Sequence, residues 1–344
     1  MLKKPAAHPA LSARLVVQLA VLLLTLAVGV QFALFWSQVS GPQPVTVSRP
    51  AGVEGFLPIG ALMAWKQFIL SGHWDRVHPA AMVILGFAAL ISLLLHKTFC
   101  GWFCPLGTLS EGLWRLGRAI CGRNLRLPAV LDFPLRSIKY GLLGFFVWII
   151  ASMGSAELAR FLQSPYYQIA DVKMLHFFTR MSATTAVVLA ALAVLSLFYK
   201  NFWCRYACPY GALMGILAML GPSHIRRDAV TCTACGRCRK VCPAHLPVPH
   251  RLHIRSAECS GCLECVRACP AKGALRFETK GMPRATWTTV RLGLAIALIF
   301  LCTVYGAKLS GHWQSRISPQ QLRTLAPTIT ADIRHPSTST IRTQ

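Results

Sequence analysis

The chain has 344 residues, 54% of them hydrophobic and 14% charged, with a mean hydropathy of +0.49. That leaves too little polar surface to wrap a water-facing globule of this size, so several membrane spans are expected instead. The formal charge of +25 comes with no nucleic-acid-binding motif, which excludes nucleic acid as a partner; Lys and Arg gathered in loops on one side of a bilayer account for it.

In chain order, the first apolar stretch runs from about Leu15 to Trp36 and is long enough to cross roughly 30 Å of hydrocarbon. No small-x-small cleavage site follows it, so a retained anchor is expected. Phe56 to Leu70 is apolar but holds Pro58 and Lys66, and reads as an interfacial or re-entrant helix. A second span is predicted from about His78 to His96. It runs into Lys97-Thr-Phe-Cys100-Gly-Trp-Phe-Cys104-Pro105-Leu-Gly107-Thr-Leu109. A third span lies at about Ser137 to Ser152, its start trimmed by Lys139. A fourth, at about Met181 to Tyr199, runs into Lys200-Asn-Phe-Trp-Cys204-Arg-Tyr-Ala-Cys208-Pro209-Tyr-Gly211-Ala-Leu213.

The shared core C-x3-C-P-x-G-x-L makes spans one and two an internal repeat of spans three and four, and repeats of this kind place a shared site between the halves. Residues four apart share a helix face. Cys100, Cys104, Cys204 and Cys208 are therefore expected to offer four thiols from two facing helix ends. They suit a further metal or cluster, or a dithiol relay; the sequence does not name the cofactor. The plain alternative is that they are small buried residues pinning helix ends.

Two complete C-x2-C-x2-C-x3-C-P runs follow: Cys232, Cys235, Cys238, Cys242-Pro243 and Cys259, Cys262, Cys265, Cys269-Pro270. This is the bacterial spacing for a [4Fe–4S] cubane, in which the fourth cysteine ligates the other cluster. Cluster one is assigned Cys232, Cys235, Cys238 and Cys269; cluster two is assigned Cys259, Cys262, Cys265 and Cys242. Structural zinc favours C-x2-C pairs set further apart. Arg237, Arg239, Lys240 and Arg267 surround the ligands, where positive charge would raise a cluster potential, although ordinary loop charge explains them too. A short strand is expected around Leu275 and Phe277. His245, His250 and His253 are expected to face solvent. Cys121 reads as a loop thiol and Cys302 as a packing residue.

A fifth span is predicted at about Val290 to Lys308, followed by a Ser-, Thr- and Pro-rich tail expected to be flexible. The expected units are thus residues 1–225 in the membrane, 226–282 as the cluster domain, 283–308 as the last span and 309–344 as the tail. Counting Lys and Arg loop by loop, with Lys139 and Arg291 at the span edges taken with their loops, puts 25 on the side of the N-terminus and the cluster domain, against ten on the other. The positive-inside bias then predicts a multi-pass protein of the bacterial inner membrane, with a cytoplasmic N-terminus and cluster domain and a periplasmic C-terminus. A reducing compartment suits thiolate ligands and disfavours disulfides.

On the opposite side, Leu70-Ser-Gly-His73-Trp74 recurs as Leu309-Ser-Gly-His312-Trp313. With His78 and His176 these leave open a bis-histidine haem, a quinol-binding histidine, or simply an interfacial belt. Asp75 and Asp171 read as exposed loop carboxylates, with proton acceptance from a quinol as the alternative.

The paired C-x3-C-P motifs and the tandem cluster motifs together resemble the membrane-bound ferredoxin-type proteins related to the quinol-dehydrogenase subunit NapH and to the membrane part of NosR, with CcoG a more distant relative. The resemblance covers about Leu15 to Lys280. It implies electron passage between the quinone pool and a partner redox protein. The chain departs from the NapH type by its fifth span and tail, and its tail is too short for the extracytoplasmic domain of the CcoG type. The expected fold is mostly α: a polytopic membrane protein with about five transmembrane helices and a two-cluster, bacterial-ferredoxin-like α+β domain. No nucleophile, general base or substrate pocket is visible, so an electron conduit is expected more than a self-contained enzyme. The rival reading is an assembly or maturation factor supplying electrons or metal to a respiratory metalloenzyme.

Overall fold

A computed structural model of the chain describes residues 12–281 and 287–330. Ser12 caps the first helix, its hydroxyl accepting from the Leu15 N–H, and α1 runs Ala13–Ser40. A 3-10 turn, Ala51–Phe56, leads to α2 (Pro58–Ser71) and α3 (Pro79–Leu94), each with proline in its first turn, where no intrahelical N–H partner is needed. A π-turn at Phe99–Phe103 precedes α4 (Pro105–Cys121) and α5 (Ala129–Ser152). Then come α6 (Ser155–Leu162), α7 (Pro165–Gln168), α8 (Ala170–Thr179), α9 (Ala183–Phe198), α10 (Phe202–Tyr206) and α11 (Pro209–Leu220). The small domain holds β1 (Ser223–Arg227), α12 (Arg237–Val241), β2 (His253–Ile254), α13 (Glu264–Arg267) and β3 (Leu275–Thr279). Two more helices follow, α14 (Thr289–Leu309) and α15 (Pro319–Thr330).

The molecule is mostly helical, with one three-stranded antiparallel sheet in the order β2-β1-β3. Among the described residues α1, α5 and α14 are long and apolar enough to cross a membrane, and α8 with α9 passes only as a pair bent by 76°. The hydropathy pattern predicts five spans. The second and fourth of these are 16-residue helices here. Each stops just before its cysteine motif, and a left-handed residue follows in the link: His96 (φ 61°) after α3, and Asn201 (φ 52°), which caps α10. A left-handed residue turns the chain out of a right-handed helix.

α3 lies at the centre, packed against α2, the 3-10 turn, α11 and α14. Its Ala80, Ala88 and Ile91 are wholly buried. The same apolar core continues through Trp102 and Met214 into Ile225, Ile254, Leu275 and Phe277 of the sheet. Register puts Ile225 opposite both Ile254 and Phe277, so the sheet turns one face into that core. The cysteine-bearing domain therefore shares its interior with the helices. Outward-facing Leu23, Val30, Leu298 and Leu301 are exposed, as expected of lipid-facing positions. Within the stretch after Lys308, read from composition as a flexible tail, α15 packs on α1: Leu322 is buried and the Arg323 Nε donates to the Val39 carbonyl at 3.1 Å. Residues 331–344 lie outside the described residues.

Candidate metal centre

The two four-cysteine runs adopt one backbone plan twice. In the first, Ala234 (φ 53°) and Gly236 (φ 69°) are left-handed; in the second, Gly261 (φ 58°) and Leu263 (φ 58°) occupy the equivalent places. Such alternation turns successive N–H groups to one side and builds an anion-binding concavity. Gly236 and Leu263 then cap α12 and α13, which carry Cys238 and Cys265. Ala234 and Leu263 pay a steric penalty in this region, so the surrounding structure holds them there.

Cys242 lies with Cys259, Cys262 and Cys265 around one small cavity, whose apolar walls include Ile225, Val248 and Ile254. The structure thus brings the last cysteine of the first run to the first three of the second. The thiols of Cys232, Cys235 and Cys238 form a second, more open group, in which burial and then the neighbouring Cys235 and Cys232 raise the Cys238 thiol. Cys269 donates to the Ala271 carbonyl at 3.4 Å and packs against the common core. Burial pushes the Cys259 thiol up to about 12 and raises Cys262 and Cys265 as well. A bound cation reverses that preference and holds the sulfurs as thiolates. Four sulfurs around an apolar pocket, with no carboxylate or imidazole among its lining, fit an iron–sulfur cubane.

The membrane-end pairs differ from the expected single helix face. Each straddles a helix break. The Cys104 N–H reaches five residues back to the Phe99 carbonyl (2.9 Å), and the Cys208 N–H reaches Trp203 (3.1 Å). Cys104 and Cys208 then stand at the N-caps of α4 and α11, each followed by proline. Cys208 Sγ accepts the Gly211 N–H at 3.3 Å, and the Gly107 N–H faces the Cys104 sulfur in the same way. A helix N-terminus aimed at sulfur favours thiolate. A Cβ on Gly107 would come within 2.5 Å of the Cys100 carbonyl oxygen, which accounts for that glycine of the motif. The four thiols feel one another's charge, and burial pushes Cys100 up to about 11 and Cys104 up to about 12.

The two sets of cysteines are locked together. A Cβ on Gly101 would lie 2.3 Å from the Ser260 carbonyl oxygen, so backbone touches backbone between the π-turn and the Cys259–Cys262 loop. Trp102 Nε1 donates to the Gly261 carbonyl (2.9 Å) and Lys97 Nζ to that of Ala257 (3.0 Å). Arg14 donates to the Gly101 carbonyl (2.9 Å) and pairs with both Glu111 and Glu264. Lys139 holds both oxygens of Glu258 at 2.7 Å, and the Tyr140 hydroxyl adds a third bond at 3.0 Å. Arg205 grips Asp132 with two bonds of 2.9 Å and donates to the Ala244 carbonyl at 2.9 Å.

From sequence these cations count only toward topology. In the fold Lys139 is completely buried, and Arg14, Lys97, Lys200 and Arg205 are all buried as well. The available signal was the scarcity of acid. With 11 Asp and Glu against 36 Lys and Arg, each carboxylate in the cysteine-bearing half can select a cation. Burial alone would raise the Glu258 carboxyl; Lys97 and Lys139 hold it below the ordinary range. Replacing Lys139 by Met is expected to lower stability by about 3 kcal/mol, since it strips a buried carboxylate of its nearest cation. Denaturation of the detergent-solubilised protein checks this: a midpoint equal to wild type contradicts the pairing.

Several other sequence readings change. Asp75 and Asp171 are not exposed loop carboxylates. Asp75 accepts the Tyr167 hydroxyl (2.7 Å) and Asp171 accepts Arg49 (2.6 Å), both in the interior. His78 is fully buried, its Nε2 2.7 Å from the Tyr167 carbonyl oxygen, whereas His176 lies edge-on to Trp36. His250 and His253 are exposed, although His253 Nδ1 sits 2.9 Å from His224 Nε2; His245 is half-buried.

Residues 77–128 and 182–228 match a family model described as a 4Fe-4S binding domain, and residues 224–270 match one described as a 4Fe-4S dicluster domain. The first match contains both C-x3-C-P pairs, and the second contains all eight remaining patterned cysteines. YccM of Escherichia coli (strain K12), whose name assigns it provisionally to electron transport, is 41% identical over 316 residues, spanning 89% of this chain and 88% of YccM. The chain belongs to this family of membrane-associated, ferredoxin-type iron–sulfur proteins. Protein NirI of Paracoccus denitrificans is 34% identical over 178 residues, covering 49% of this chain and 25% of NirI. The ferredoxin-type protein NapH of Haemophilus influenzae is 26% identical over 184 residues, covering 52% and 60%. The chain thus spans less than two thirds of NirI and of NapH. No solved structure matches.

Proposed function

We propose that this member carries two [4Fe–4S] clusters and passes electrons between the quinone pool and a partner redox protein at a bacterial inner membrane. The observation that carries the reading is the gathering of Cys242, Cys259, Cys262 and Cys265 around one apolar cavity, with the Cys259–Cys262 loop in backbone contact with the π-turn that carries Cys100. Those four residues hold one cluster; Cys232, Cys235, Cys238 and Cys269 hold the other. When bound, the clusters supply one-electron carriage. The chain's own residues set the surroundings. Ile225, Val248 and Ile254 keep water from the inner sulfurs. Arg14 beside Cys262 and Lys97 beside Cys259 offset thiolate charge. Cys100, Cys104, Cys204 and Cys208 form a further redox or metal site between the bilayer and these clusters. The loop-charge asymmetry supports a cytoplasmic N-terminus and cluster domain.

The test is anaerobic reduction of the purified protein by a short-tailed quinol, followed by cluster bleaching. Wild type is expected to bleach, and a Cys104→Ser, Cys208→Ser double variant to bleach about a hundredfold more slowly, as for a displaced or missing reaction partner. Equal rates would remove the paired motifs from the pathway. In a deletion strain, slow quinol oxidation with an intact metalloenzyme target supports the conduit; loss of metal from such a target favours maturation instead.

A further inference from the structure

The motif Leu-Ser-Gly-His-Trp occurs twice, and the function proposed above gives it no role. In both places it ends a helix. α2 stops at Ser71 with Gly72 at φ 71°, and α14 stops at Leu309 with Gly311 at φ 72°. This left-handed geometry lets the chain leave a helix abruptly, and glycine adopts it without steric cost. The two helix ends meet at one cavity of about 860 Å³ between α2, α3 and α14. His73 and Trp74 line it from one copy of the motif and His312 from the other, and the rings of Trp74 and His312 lie edge-on at 5.0 Å. The segments beyond the two motifs are stitched together, the Arg316 N–H donating to the Arg76 carbonyl at 3.0 Å and the Ser315 hydroxyl to that of Val77 at 2.7 Å. A cavity of this volume is ordinary for a small-molecule site.

Its two ends differ in chemistry. One end carries the imidazoles and the buried Asp75, whose carboxylate accepts the Tyr167 hydroxyl. Along α3 away from that end, the walls are apolar, with Val83, Phe87 and Leu90. Phe87 lies 5.0 Å from the ring of Phe103 and 5.2 Å from that of Phe300. Phe103 directly precedes Cys104, and Phe99, 6.3 Å from Phe87, directly precedes Cys100. One end can therefore exchange protons while the other abuts the residues beside the membrane-end thiols. A matching ligand is apolar over most of its length, bears a polar ring, and carries protons and electrons together.

We infer that this cavity binds the hydroquinone form of an isoprenoid quinone, with its ring at the polar end built by the paired motifs. The inference rests on the quinone reading above and assigns its site. Oxidation of the hydroquinone to the quinone releases two protons and two electrons. His312 and Asp75 accept the protons at that end. The oxidant is the set of iron–sulfur centres assigned above, each taking one electron, with Phe87 and Phe103 between.

The test is photolabelling of the full chain in lipid nanodiscs with an azido-quinone, read by peptide mapping and independent of turnover. Label is expected in peptides containing residues 72–90 and 303–316, and a Thr303→Trp variant, which fills the cavity, should lose about tenfold of it. His312→Ala should keep the label but slow quinol-driven bleaching about tenfold. Label confined to other helices, label unchanged in Thr303→Trp, label displaced equally by a plain phospholipid, or a Soret band showing a haem between His73 and His312 would each overturn the assignment. If Thr303→Trp does not accumulate, the wild-type map alone decides. Wild type that bleaches with quinol while labelling elsewhere sinks the site and leaves the function standing. Labelling in the cavity with no bleaching at all sinks the function and leaves the site.

Discussion

Replacing Cys242 by Ser is expected to abolish the cluster of the second run while sparing that of the first. Anaerobically purified protein should fall from about eight irons per chain to about four, and its spectrum should match that of Cys265→Ser. The reason is spatial. Cys242 follows the first run in sequence but is buried beside Cys259, Cys262 and Cys265, sharing their cavity. By the same logic Cys269→Ser should match Cys238→Ser. Serine is nearly isosteric, so the domain keeps its shape while losing a soft ligand that iron–sulfur clusters require. If Cys242→Ser instead matches Cys238→Ser, each run holds its own cluster and the crossed assignment is wrong.

The second large effect is expected from a single methyl group. Gly101→Ala puts a Cβ 2.3 Å from the Ser260 carbonyl oxygen, and backbone cannot swing aside as a long side chain can. The π-turn carrying Cys100 and the loop carrying Cys259 must separate. Overpacking of this kind costs about 1–3 kcal/mol or more. The functional loss is expected to be larger, because displacement of about 1 Å between reacting groups can slow a reaction about a hundredfold. Quinol-driven bleaching should therefore slow by that order, with iron content retained. Gly141→Ala is the control: nothing lies within 4 Å of its added Cβ, so it should behave as wild type. Equal rates in Gly101→Ala and Gly141→Ala would show that the contact is not part of the route.

Some of this was legible in the residues and some was not, for physical reasons. Ligand spacing is local, so the two cysteine runs and the strand after them could be read directly; β3 includes the Leu275 and Phe277 that suggested it. The repeat of C-x3-C-P-x-G-x-L was also plain, but not its geometry. Helical periodicity assumes an unbroken helix, but α3 and α9 end before the cysteines, and the left-handed His96 and Asn201 redirect the chain in between. Hydropathy likewise counts apolar length and misses that α3 and α9 stop short. The largest gap concerned charge. Lys139 reads as an interruption of a span, yet in the fold it is a buried anchor whose partner, Glu258, lies 119 positions away. No local pattern reports such a pair. Asp75 and Asp171 misled in the same way: each is buried against a partner distant in sequence, Tyr167 of α7 for Asp75 and Arg49 for Asp171, which lies in the first turn of α8.

The most direct measurement is the metal content and low-temperature EPR of the wild-type chain, purified without oxygen and then reduced. The eight cysteines between Cys232 and Cys269 should yield about eight irons with matching labile sulfide and two interacting cubane signals. Colourless protein, or protein holding zinc in simple ratio to the chain and giving no signal on reduction, would contradict the account at its root.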